Sequence, residues 1–314
     1  MPRCLACYEE IDHPGIHESC SKRIFGTTAP PSLESIGQEL EKQAQVFLEK
    51  KLAITGVQRK LSLHLEHKNS ERFTILSAMG GNFILKPPSD EFDELPELED
   101  VSMHLAKIVG LEVAQHCLLP TLDGNLAYVT RRFDRIKGKK IAQEDACQLS
   151  EVLTENKYKS SHEKLAKVIK QYSSFPGDDL LRLFELTLFS FLTGNADMHL
   201  KNFSLLQNNR GHYRLSPAYD LVPTRLLIPK IEDSEELALN LNGKKSRFKL
   251  ADFLAYGDNT MIPEKVVDRT LKMFAKKKGA MLEMIELSFL SDKRKNDYRA
   301  LIEERYNRLG LENR

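Results

Sequence analysis

The stretch Gly194-Asn195-Ala196-Asp197-Met198-His199-Leu200-Lys201-Asn202 is a polar loop, and Asp220 in SPAYDLVP stands eighteen residues beyond its last member. Directly before it runs DDLLRLFELTLFSFLTG, residues 178–194, whose apolar positions recur at three and four spacing. That period predicts a long, deeply buried helix ending at Gly194. A charged loop leaving a core helix sits on a rigid support, the usual placement of residues that do chemistry. Asn, Asp and His are also common turn formers, because their side chains bond nearby backbone. Taken alone, the segment therefore also reads as a plain helix-to-strand connection.

The spacing favours chemistry. An Asp that takes or orients a hydroxyl proton, an Asn five positions on that holds Mg²⁺, and a later Asp that holds metal bridging nucleotide phosphates are the parts of a phosphoryl-transfer centre. Asp197, Asn202 and Asp220 fit those parts. His199 and Lys201 lie within the loop, where a cation would offset charge developing on a transferred group. His199 reads equally well as a packed structural histidine.

A nucleotide needs more contacts. Lys86 in FILKPP sits among apolar strand residues, as a phosphate-binding strand lysine does; otherwise its ammonium reaches solvent, the common fate of Lys. Such a lysine requires a carboxylate on the following helix. Glu97 and Glu99 both precede the helical stretch 101–109, and Glu99 is preferred because it lies nearer the helical body. Either residue could instead serve the helix N-terminus through the macrodipole. Thr55, Gly56, Val57, Gln58 and Lys60, with Arg59 between the last two, form a loop able to lay backbone N–H groups on phosphate. With its one glycine it matches no known phosphate-loop pattern, and as an isolated segment it reads as a turn. The run Arg131-Arg132-Phe133-Asp134-Arg135 is either a connector stiffened by Arg–Asp pairs or a solvated strand end.

The 314 residues suit two lobes, and a net charge of +1 with 41% hydrophobic residues describes a globular chain without the basic excess of a nucleic-acid binder. No direct nucleic-acid binding is expected. No apolar run is long enough to span a membrane, and the N-terminus lacks an apolar signal region, so a soluble cytoplasmic protein is expected. Residues 31–51 predict an amphipathic helix. Residues 52–67 and 72–89 alternate as strands, 113–121 and 126–136 form a hairpin around LDGN, and 203–216 form another. Residues 237–250 read as a short strand-like piece, and residues 262–314 as two or three charged helices. The resulting fold class is α+β and bilobal, with an N-lobe over 31–137 that binds nucleotide and a mainly helical catalytic C-lobe over 138–314.

Residues 1–30 are expected to stand apart. Cys4 and Cys7 are spaced CxxC, and His17 and Cys20 supply two further ligands, a set able to close a tetrahedral Zn²⁺ site in a segment too short for its own core. Ordinary thiols near a chain terminus are the alternative. The five cysteines are odd in number and dispersed, which argues against a disulfide framework.

Together, ITGVQRKLS, NFILKPP, ELEDVSMHLAKIVGL, YVTRRFDR, QEDACQLS, LTGNADMHLKNFSLL and SPAYDLVPT resemble the HipA family of bacterial serine/threonine kinase toxins, in the family's own order. The resemblance implies a protein-kinase-like fold, ATP and Mg²⁺, a protein hydroxyl as acceptor, Asp197 as base, Asn202 and Asp220 as metal ligands, and Lys86 at the nucleotide. It implies an aminoacyl-tRNA synthetase as substrate class, and antitoxin partners that include a helix-turn-helix DNA-binding protein. Family members carry an additional N-terminal subdomain, so the chain looks like the shortened HipT type, whose antitoxin set includes a separate small protein resembling that subdomain. Where the family often has an autophosphorylated serine, this chain has Ala53, and Thr55 is the hydroxyl expected to take the phosphate. A small-molecule or lipid kinase, or a nucleotide-binding adaptor without catalysis, are the competing readings.

Overall fold

The computed structural model describes residues 1–33, 60–66, 72–75, 81–136, 139–229 and 231–313. Thr55, Gly56, Val57 and Gln58, and nearly all of the helix expected over 31–51, lie outside the described residues. The chain divides into two compact units, one comprising Met1–Asp100 and Ala114–Gly138, the other Val101–Val113 and Lys139–Arg314. Residues 101–113 thus group with the second unit, not with the strands that flank them.

The first unit is built on an antiparallel sheet of β1 (Leu61–Glu66), β2 (Arg72–Ile75), β3 (Phe83–Lys86), β4 (His116–Pro120) and β5 (Leu126–Arg131), in the order β2-β1-β3-β5-β4. Period-two alternation assigns the faces. Leu63, Phe83, Leu85, Cys117 and Val129 turn to one side and share a single apolar cluster with Cys4, Ile24 and Phe25 of the N-terminal segment. The first thirty residues therefore do not stand apart. They contribute the helix α1 (Glu18–Phe25), and the Leu118 amide donates to the Leu5 carbonyl at 2.9 Å, so the segment also occupies the β4 edge. The opposite face presents Lys86 and Tyr128, which are paired in register.

Helix α2 (Leu95–Ile108) begins earlier than the sequence suggested, and Glu97 and Glu99 lie on it, not ahead of it. The acidic run reads as a loop, but Pro96 falls in the first turn, where its missing N–H has no intrahelical acceptor to lose.

The second unit contains α3 (His162–Tyr172) and α4 (Pro176–Thr193), a three-stranded sheet of β6 (Gln143–Asp145), β7 (Ser204–Gln207) and β8 (Tyr213–Leu215), and α5 (Leu250–Asn259), α6 (Glu264–Leu287) and α7 (Asp292–Arg308). Helix α4 is the central member, with Leu183, Phe184, Leu188, Phe189, Phe191 and Leu192 fully buried. The strand-like piece expected at 237–250 is a correction. It is an irregular segment with isolated bridges from Ser161 to Asn240 and from Leu241 to Lys244, buried at Leu237–Leu239, Leu241 and Phe248 and exposed at Asn242, Gly243, Arg247 and Lys249, although Leu237, Leu239 and Leu241 alternate as a strand would. Among the described residues no helix is long and apolar enough to cross a membrane.

Candidate active site

Helix α4 stops because Gly194 enters the left-handed region at φ 75°. A Cβ there would also stand 2.6 Å from Leu301 Cδ2, so both backbone and space select glycine. The chain then folds on itself. Asn195 Oδ1 accepts from the Asp197 amide at 3.1 Å, Thr224 Oγ1 accepts from the Ala196 amide at 2.9 Å, and Asn202 Nδ2 donates to the Asp197 carbonyl at 3.1 Å. The last bond turns the Asn202 carboxamide so that its nitrogen serves the loop, and Oδ1 is the atom left to act as a ligand.

Asp220 lies one residue beyond Tyr219, whose hydroxyl donates to the Lys201 carbonyl at 2.9 Å and pairs with Ser204 Oγ at 2.7 Å. Tyr219 therefore ties the Asp220 segment to the loop that carries Asn202. Asp220 itself has φ 61°, an uncommon conformation for a non-glycine residue, which the surrounding fold must impose.

Two side chains feel both carboxylates. Tyr158 donates its hydroxyl to Asp197 Oδ1 at 2.5 Å; burial, that bond, and the charges of Asp197 and Asp220 push its phenol well above its ordinary value. His199 is buried with its ring edge-on to Tyr158, centroids 5.1 Å apart. Burial holds its imidazole below the usual range, with Lys157 adding to the effect, although Asp197 and Asp220 pull the other way. Lys201 does not point its charge into open space: Nζ is 3.0 Å from Asp145 Oδ2. Asp145 is also the capping-box residue of the single helical turn Ala146–Leu149, accepting from the Gln148 amide at 3.0 Å.

In the first unit, Lys86 Nζ lies 2.6 Å from both Glu99 oxygens and 5.5 Å from the centre of the Tyr128 ring, with side-chain exposures of 4% for Lys86 and 1% for Glu99. A buried pair of this kind holds its geometry because neither charge can leave without giving up an opposite charge at hydrogen-bond distance. Glu97 is not the partner. Burial, with Glu94 and Asp100 nearby, raises its carboxyl to about 7. The next residue after Glu99, Asp100, accepts from Tyr8 Oη at 2.6 Å and meets His116 Nδ1 at 2.6 Å.

Asp134 takes a fork from Arg132 at 2.9 and 2.8 Å and a further bond from Arg135. Burial opposes its charge, but the two guanidinium groups outweigh it and hold the carboxyl below its ordinary range. Lys60 is exposed at the start of β1. Cys4, Cys7, His17 and Cys20 bring their ligand atoms within 4.8 Å of one another.

The candidate residues therefore fall into two groups, Lys86 and Glu99 in the first unit and Asp197, Asn202 and Asp220 in the second. The tyrosines that fix them, Tyr158 and Tyr219, do not announce themselves by spacing. Tyr158 lies in none of the segments singled out above.

An α+β chain with a strand lysine paired to a helix glutamate, and a loop carrying Asp, Asn and a following Asp, has the construction of a protein-kinase-like fold. The chain belongs to the family of HipA-like C-terminal domains, whose model matches residues 52–282. A putative kinase of Sinorhizobium fredii, Y4dM, is 34% identical over 245 residues, covering 74% of this chain and 58% of the relative. The serine/threonine-protein kinase toxin HipA of Shewanella oneidensis is 29% identical over 198 residues, covering 55% of this chain and 43% of its own length. The chain thus spans only about half of these relatives. Among solved structures, HipA of Shewanella oneidensis superposes with a TM-score of 0.67 at 23% identity, over 82% of this chain and 65% of that one. The Helicobacter pylori proinflammatory kinase CtkA gives 0.53 at 20% identity, over 72% and 87%. The fold is the α+β, HipA-like one that the sequence led us to expect, and the relatives support a kinase-like function.

Proposed function

We propose that the chain is a serine/threonine protein kinase that uses ATP and Mg²⁺. The observation that carries this reading is the Asn202 carboxamide bonded to the Asp197 carbonyl, which makes one short turn present a carboxylate and an amide oxygen, while Tyr219 ties in Asp220. Hard oxygen donors of this sort suit Mg²⁺ over softer-ligand metals. Asn202 and Asp220 would hold the ion. When bound, it would neutralise charge on the nucleotide phosphates.

Asp197 accepts the proton of the acceptor hydroxyl as that oxygen bonds to the γ-phosphorus and the bond to the β,γ-bridging oxygen breaks. Lys86, fixed by Glu99, contacts the α and β phosphates. Lys201, engaged by Asp145, steadies the loop, and neutral His199 packs beneath Tyr158. Autophosphorylation at Thr55 would place negative charge beside the phosphates and oppose ATP binding.

The family resemblance extends the proposal to a toxin acting in the cytoplasm on a translation component such as an aminoacyl-tRNA synthetase. Its antitoxins would be a small protein resembling the family's N-terminal subdomain and a helix-turn-helix DNA-binding protein. The Shewanella HipA structure contains HipB and operator DNA, which supports a partner of the latter kind.

Labelling with γ-phosphate-labelled ATP in cell extract tests the class of acceptor. Label should appear on protein serine or threonine, and Asp220→Asn should lose both transfer and Mg²⁺-dependent ATP binding. Label in a metabolite or lipid would instead establish the small-molecule reading, and ATP binding without any transfer the adaptor reading.

A further inference from the structure

Cys4, Cys7, His17 and Cys20 take no part in the chemistry proposed above, yet they converge. Their ligand atoms all lie within 4.8 Å of one another, and all three thiols are free of disulfides. A tetrahedral Zn²⁺ with Zn–S of about 2.3 Å and Zn–N of about 2.0 Å has ligand-to-ligand edges of roughly 3.5–3.8 Å. The Cys7 Sγ to His17 Nδ1 distance of 3.4 Å already approaches such an edge.

The surroundings fit a metal better than a chance cluster. His17 Nε2 lies 3.0 Å from the Glu10 carbonyl, a bond it can make only as a donor, so the Nδ1 lone pair faces the thiols. The His17 amide points at Cys4 Sγ at 3.3 Å and an Arg23 N–H at Cys20 Sγ at 3.5 Å, so both sulfurs are held in place as hydrogen-bond acceptors. The CxxC turn is closed by the Tyr8 amide donating to the Cys4 carbonyl at 3.0 Å and the Cys4 amide to the Glu9 carbonyl at 2.9 Å, with Tyr8 at φ 64°.

We propose that these four residues hold one Zn²⁺ through three thiolates and His17 Nδ1, and that the ion clamps the N-terminal segment onto the sheet that carries Lys86. Binding releases the three thiol protons and leaves a site of net charge −1. The mechanical link runs through the first unit alone. Phe25 packs on Phe83 with ring centroids 5.4 Å apart, three residues before Lys86, and the Tyr8 hydroxyl holds Asp100, the neighbour of Glu99. Without the ion, a segment this short is ordered by that shared apolar cluster and a few hydrogen bonds, among them Leu118 N–H to the Leu5 carbonyl and Tyr8 Oη to Asp100.

The test is independent of kinase activity. Purified full chain should contain one zinc per molecule by mass spectrometry of the metal. Replacement by Co²⁺ should give the thiolate charge-transfer and intense visible bands of a tetrahedral site. Cys7→Ser and Cys20→Ser should lose the zinc, whereas Cys147→Ser should keep it. Should those two variants fail to fold, alkylation of the wild-type protein decides. A chelator should expose Cys4, Cys7 and Cys20 to the reagent and lower the melting temperature, with no change at Cys147. Metal-free protein that takes up neither Zn²⁺ nor Co²⁺, unaltered zinc content in folded Cys7→Ser, or an alkylation pattern indifferent to chelator would each overturn the proposal.

Discussion

The Tyr158 hydroxyl donates to Asp197 Oδ1 at 2.5 Å, across 39 positions of sequence. Because the phenol is held far from ionisation, it stays a donor throughout the neutral range. The bond fixes one oxygen of the carboxylate and leaves the other free to turn toward an acceptor, which makes Tyr158 a positioning residue if Asp197 is the base proposed above.

Tyr158→Phe should therefore lower kcat about fivefold to tenfold, the worth of roughly 1–1.5 kcal/mol for one partly exposed hydrogen bond to a charged group. ATP affinity should be unchanged. Steady-state kinetics beside calorimetric ATP titration would check it, and an unaltered kcat would remove the role.

Lys86 and Glu99 are buried together, so removing one leaves the other buried without its counter-charge at 2.6 Å. Glu99→Leu should cost about 3–5 kcal/mol of stability, while the double replacement Lys86→Met with Glu99→Leu should recover most of that loss. Both proteins should fail to bind ATP. Denaturant midpoints for the two variants decide the first statement, and a double variant no more stable than the single one would contradict it.

Glu97 gives a pH test whose sign is fixed by its environment. Its folded carboxyl is raised to about 7 against an ordinary 4.5, so its contribution is intact below the lower value and is lost as pH rises through the upper one. Glu97→Gln removes that penalty. The variant should match wild type near pH 4.5 and exceed it at pH 8 by about 2 kcal/mol, a figure already reduced for partial exposure. Urea unfolding at the two pH values measures the difference; an equal gap at both would rule out the buried-carboxylate account.

What the sequence revealed and what it concealed have a common physical origin. The loop from Gly194 to Asn202 was legible because its bonds are local: Asn195 to Asp197, and Asp197 to Asn202, are fixed by spacing. FILKPP marked Lys86 for the same reason, through the alternation of its strand. Tyr158, Tyr219 and Tyr8 were not legible as partners, because each acts on a residue 15 or more positions away and nothing in its own neighbourhood records that. The start of α2 was misplaced by an acidic, proline-containing run that suits a loop and a helical first turn alike. At 237–250, the leucines at 237, 239 and 241 report buried side chains, a condition that an irregular segment satisfies as well as a strand does.

Asp197 carries the account. Asp197→Asn keeps the loop's backbone bonds and removes only the charge proposed to take the acceptor proton. Measured side by side, phosphoryl transfer to protein should fall by about three orders of magnitude, within the range of a lost general base, while ATP and Mg²⁺ bind as in wild type. Transfer at the wild-type rate by that variant would contradict the assignment.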